Sequence, residues 1–159
     1  MPTYVCTVSG TDLTSGQKSQ IAREITRAHS MLTGAPHFFA QVFFQAPSRD
    51  DHFIGGVLSE TESIFVRGDI RAGRGAEVKR KLVAAIIEGV HRITGIPAGG
   101  IWVYLNELPS GQMAEFGRVL PEPGTEKEWL NALPAAERER IRRLGSGEAE
   151  EEESPPPKG

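Results

Sequence analysis

The chain has few of the residues that build cross-links and clusters. Cys6 is the one cysteine in 159 residues, so an intrachain disulfide and a cysteine-held metal cluster are excluded. Histidine is scarce too: His29, His37, His52 and His91 fall at spacings that make no metal-ligand pattern. No run approaches the roughly 18 apolar residues of a membrane-spanning helix, so no membrane partner is expected. The start lacks the basic and apolar segments of a signal peptide, and a cytoplasmic protein is the expectation. Walker and dinucleotide-type glycine patterns are missing as well, which argues against a bound nucleotide phosphate.

Charge imbalance is also small, at a net −3. Residues 145–159 (GSGEAEEEESPPPKG) hold five glutamates and one lysine, so the remainder is nearly neutral. A near-neutral body offers no surface for nucleic acid. The glutamate run and triple proline cannot form a core, and the tail reads as disordered.

What is present is a repeated pattern of strand, helix and strand. Residues 2–8 alternate, with Tyr4, Cys6 and Val8 on one side. Ile21, Ile25, Ala28 and Leu32 then trace a helical stripe that ends near Gly34 and Pro36. Residues 39–45 are β-branched and aromatic enough for a strand, and residues 53–58 for a short hairpin arm around glycine. The second unit repeats the scheme. A strand over 63–70 leads through a glycine-rich connection into a helix striped by Val78, Leu82, Ala85, Ile86, Gly89 and Ile93, and a strand follows over 101–105. Crossovers of this length imply parallel pairing and right-handed connection. The expected fold is therefore α/β, an α+β sandwich. Two consecutive βαβ units (2–48 and 63–106) form one mixed sheet with two helices on one face. A C-terminal helical arm covers 107–144, and the tail follows.

Six side chains carry candidate chemistry. If Met1 is trimmed, as happens before a small residue, Pro2 presents a secondary amine that titrates near neutral pH. Arg71 and Arg74, on the glycine loop before a helix, make an anion site, since guanidinium forks suit carboxylates. His29 lies at the edge of the first helical stripe, where a packed core histidine is the commoner outcome. Tyr104 stands in the last strand of the second unit. Glu115, in a turn or short helix among Met113, Ala114 and Phe116, is a carboxylate that shielding could turn into a base.

Met1-Pro2-Thr3-Tyr4, the LTGAPHFFAQVFF run, Phe53-Ile54-Gly55-Gly56-Val57, Arg71-Ala72-Gly73-Arg74, Ile101-Trp102-Val103-Tyr104 and EFGRVLPEPG together resemble the tautomerase superfamily. More narrowly, they resemble its cis-3-chloroacrylic acid dehalogenase-like group, over residues 2 to about 144. The resemblance implies Pro2 as a cationic general acid, with Arg71, Arg74 and His29 holding and polarising a carboxylate. It implies Tyr104 and Glu115 as the residues that direct water. Ile70 and Phe116 depart from the group's pattern beside the site, where histidine and tyrosine are expected.

The implied function is cofactor-independent addition of water to small α,β-unsaturated carboxylic acids, with halide loss from a β-halogenated acid to give malonate semialdehyde. No metal or organic cofactor is called for, and the assembly implied is a homotrimer. Two alternatives remain open at this point: a keto–enol tautomerase using neutral Pro2 as base, and a non-catalytic trimeric binding protein.

Overall fold

Alternation in the first strand decides which side becomes core. The computed structural model describes residues 2–37 and 40–146. Strand β1 (Thr3–Ser9) buries Tyr4, Cys6 and Val8 and leaves Thr3, Val5 and Thr7 half-buried on its other face. Strand β5 (Ser63–Arg71) repeats this with Ile64, Val66, Gly68 and Ile70 turned inward. With β2 (Gln41–Gln45) and β6 (Ile101–Leu108) they form one sheet in the order β2-β1-β5-β6. The outer pairs are parallel and the central β1–β5 pair is antiparallel. Each parallel pair is one βαβ unit, so two such units meet back to back in a mixed sheet.

Two helices cover the inward face. Helix α1 (Ser15–Thr33) opens on a capping box, in which Thr14 and Gln17 satisfy each other's backbone amides. It buries Ile21, Ile25, Ala28 and His29. Helix α2 (Ala76–Thr94) buries Leu82, Ile86, Gly89 and Val90. Both end on a left-handed glycine, Gly34 and Gly95. The helices approach closely at Gly89, where an added Cβ would lie 2.4 Å from Glu24 Cγ. The opposite sheet face has no helix. Phe43, Trp102 and Tyr104 stand exposed there, and Tyr104 meets Phe65 edge-on with ring centroids 5.1 Å apart.

Beyond the sheet, β3 (Phe53–Ile54) and β4 (Val57–Leu58) form a small hairpin, as the glycine pair suggested. Three local expectations are corrected. Glu115 lies in a second hairpin, β7 (Ala114–Glu115) with β8 (Arg118–Val119), rather than in a turn or helix. The turn there places both Phe116 and Gly117 at positive φ (52° and 73°), the pattern of a tight primed turn. Arg71 is the last residue of β5, not part of the loop. Helix α4 (Ala135–Ser146) takes in the first two residues assigned to the tail. The rest of the tail, and the Phe39 end of the predicted second strand, lie outside the described residues.

The arm, α3 (Glu126–Asn131) and α4, has its own small core. Leu120 is buried against Met113, Phe116, Trp129 and Leu130, and Trp129 Nε1 donates to the Val119 carbonyl at 2.9 Å. The arm is thereby fastened to the β7–β8 hairpin. Among the described residues, no helix is long and apolar enough to cross a membrane.

Candidate active site

The antiparallel centre of the sheet brings the two ends that matter together. Thr3 pairs with Asp69, so continuing the register sets Pro2 against Ile70 and next to Arg71. The Pro2 carbonyl accepts from the Gln41 amide at 3.1 Å, which prolongs the β1–β2 ladder and anchors the ring at the sheet's end. Pro2 is buried. A small pocket, partly open to solvent, is lined by Pro2, His29, Ala35, Arg71, Arg74, Pro121 and Glu126. Four of the six expected site residues thus share one wall: Pro2, His29, Arg71 and Arg74.

His29 arrives from α1, one helical turn after Ile25, and is only 4% exposed. Its Nδ1 lies 2.8 Å from the Tyr4 hydroxyl, and the rings meet edge-on. Burial first, then the charges of Arg74 and Arg71, pull its pKa down to about 4. The imidazole is therefore neutral at neutral pH. Burial raises the Tyr4 phenol well above its ordinary value, so it keeps its proton.

The two arginines are held differently. Arg74 Nη1 donates to the Thr33 carbonyl at 3.0 Å, placing a cation at the C-terminal end of α1, where the helix dipole favours it. No acidic side chain lies within ion-pair distance of Arg74 among the described residues. Arg71 is 7% exposed. Its Nη1 donates to the Pro121 carbonyl at 2.5 Å, and its Nη2 is ion-paired with Glu126 at the start of α3. Its Nε is buried without a partner among the described residues.

Glu115 is half-buried on β7 and does not line the cavity. Burial raises its carboxyl pKa, while the charges of the amino terminus and Arg71 work the other way. Tyr104 is 57% exposed on the helix-free face, so a single chain does not bring it to the cavity. Among the described residues there is no group of three or more metal-ligating side chains.

Two residues of this site escape sequence reasoning. Glu126 is 55 positions from Arg71, and no local spacing links them. Tyr4 reads as strand packing, and its alternation with Cys6 and Val8 gives only its face. An acidic residue opening a helix just after EFGRVLPEPG was the one visible sign of Glu126.

A family model described as "Putative oxalocrotonate tautomerase enzyme" matches residues 1–132. Among solved structures, N1, a member of the cis-3-chloroacrylic acid dehalogenase family, is 30% identical with a TM-score of 0.83, covering 88% of this chain and 98% of that one. A fused 4-OT symmetric trimer, 20% identical with a TM-score of 0.68, shares the fold over 76% of this chain and 97% of that one. A probable tautomerase of Streptococcus pneumoniae serotype 4 is 40% identical over 47 residues, 30% of this chain and 78% of that protein.

Proposed function

The chain belongs to the cis-3-chloroacrylic acid dehalogenase group of the tautomerase superfamily, and on that footing we propose that it adds water to small α,β-unsaturated carboxylic acids. The observation that carries this reading is the shared cavity of Pro2, His29, Arg71 and Arg74. Once Met1 is removed, the Pro2 amine would lie beside three donors suited to a carboxylate.

The steps follow from those groups. Arg74 and a neutral His29 donating from Nε2 hold the substrate carboxylate, with the Arg71 charge beside them. Tyr4 O–H donating to Nδ1 selects that tautomer. Water, aimed by Glu115 and Tyr104, forms a bond from its oxygen to the β-carbon and gives up a proton to the Glu115 carboxylate. The alkene electron pair moves toward the carboxylate, where the guanidinium charges stabilise the enediolate that develops. The Pro2 ammonium, exposed by loss of Met1, then protonates the α-carbon. With a β-halogen the adduct carries hydroxyl and halogen on one carbon. Loss of hydrogen halide leaves the aldehyde.

Tyr104 takes part only if another copy supplies it. The exposed Phe43, Trp102 and Tyr104 on the helix-free face fit a homotrimer in which that face meets its neighbours; the fused 4-OT structure that shares the fold is a symmetric trimer.

Two observations favour a second reading, keto–enol tautomerisation with neutral Pro2 as base. Two arginines beside an amine disfavour its proton, and the matching family model is that of a tautomerase. A deciding experiment incubates the protein with cis-3-chloroacrylate, its trans isomer, an acetylenic acid and phenylpyruvate, with products followed by NMR. Halide release or hydration that falls as pH rises through the Pro2 titration supports the first reading. Ketonisation that rises through the same titration supports the second. Turnover unchanged in Pro2→Ala, or a native intact mass that retains Met1, defeats both.

A further inference from the structure

Glu126 is an unusual neighbour for a site meant to bind carboxylates, because it places a carboxylate of the protein's own in that site. Its side chain lines the same cavity as Pro2, His29, Arg71 and Arg74 and is ion-paired with Arg71. The contact is built from several sides. Glu126 also accepts from the Gly124 amide at 2.9 Å, and the chain just before it supplies the Pro121 carbonyl to the same guanidinium. Burial alone would raise the Glu126 carboxyl, but the Arg71 hydrogen bond and charge carry it below the usual carboxylate range. It remains an anion wherever the protein would work.

This changes the charge the cavity offers. Arg71 and Arg74 contribute two positive charges, His29 is neutral, and Glu126 cancels one. One positive charge remains at the carboxylate-holding end. Its open donors are those of Arg74, since the Arg71 guanidinium is held by the Pro121 carbonyl and Glu126. A dicarboxylate would bring a second negative charge into a small pocket where Glu126 already cancels one of the two guanidinium charges.

Resting on the reading that Arg71 and Arg74 hold the substrate, we propose that Glu126 is a specificity-determining residue that restricts this site to small monocarboxylic acids by excluding dicarboxylates.

The test is ligand binding by isothermal titration calorimetry, independent of turnover, with crotonate and fumarate as probes at neutral pH. The wild-type protein is expected to bind crotonate at least ten-fold more tightly than fumarate. In Glu126→Gln, which keeps the shape and removes the charge, that ratio should shrink about ten-fold. Equal wild-type affinities, or a ratio unchanged in folded Glu126→Gln, overturn the proposal. A crystal structure of the wild-type protein with crotonate decides the matter even if the variant does not fold. It should show the ligand carboxylate on Arg74 with Glu126 still on Arg71, and a crotonate that has displaced Glu126 overturns the proposal. Binding of neither acid by the wild type, with turnover of keto or unsaturated acids intact, counts against Glu126 alone. Binding of neither acid with no turnover defeats the carboxylate-site reading beneath it.

Discussion

The Tyr4 hydroxyl lies 2.8 Å from His29 Nδ1, and both side chains are buried between the sheet and α1. A neutral imidazole whose Nδ1 accepts this bond presents Nε2–H to the cavity. Tyr4→Phe should therefore cost about 1–3 kcal/mol of stability, the penalty for leaving a buried polar atom unpaired, as read by urea unfolding. It should also raise KM for the acid more than it lowers kcat, because a carboxylate donor loses its orientation. Nitrogen-15 spectra of His29 check the cause directly: a tautomer unchanged in Tyr4→Phe would refute it.

Gly68 protects the same pair from below. A Cβ at Gly68 would lie 2.5 Å from Tyr4 Cε1 and 2.9 Å from Leu105 Cδ2, and the Tyr4 ring is fully buried. Gly68→Ala should lose about 1–3 kcal/mol through overpacking and disturb the His29 signals as Tyr4→Phe does. A stable variant with native His29 shifts would show that the ring moves freely.

His29 makes folding stability depend on pH. Its folded pKa of about 4 lies below the ordinary 6.5, so between those values the unfolded chain binds the extra proton. Stability should then fall as pH is lowered through that window, by on the order of 3 kcal/mol in all. Denaturant unfolding between pH 4 and 7 measures the slope. In His29→Gln the part due to this residue should vanish, and an identical slope in both proteins would place the proton uptake elsewhere.

How legible each part was follows from the range of the interaction behind it. Ile21, Ile25 and Ala28 announce the buried face of α1 because helical spacing repeats within a few residues. The cap residues Thr14, Gly34 and Gly95 are equally local. Pro2 and Arg71 are neighbours only because β1 and β5 run antiparallel, and no spacing in the chain encodes that pairing. Arg71 read as a glycine-loop residue with no sign of burial, since only the Pro121 carbonyl and Glu126, about fifty positions away, make its burial affordable. Phe116 gave no warning of its positive φ, because Gly117 was the only turn signal beside it. Tyr104 was placed on the correct strand, but its strand position alone does not say which chain's cavity it would serve.

Tyr104 permits a test of subunit sharing that needs no structure of the assembly. Sedimentation should give a homotrimer, and Trp102→Glu, which puts a charge among the exposed aromatics of the helix-free face, should dissociate it. Pro2→Ala and Tyr104→Phe should each be nearly inactive. If each site takes Pro2 from one chain and Tyr104 from another, unfolding and refolding the two variants together in equal amounts creates intact sites. A random mixture would recover roughly a quarter of wild-type turnover, since each site independently needs one intact residue from each of two chains. If both residues came from the same chain, every site would keep one defect and nothing would return. No recovery in mixed trimers would therefore remove Tyr104 from the neighbouring site, whatever the oligomeric state.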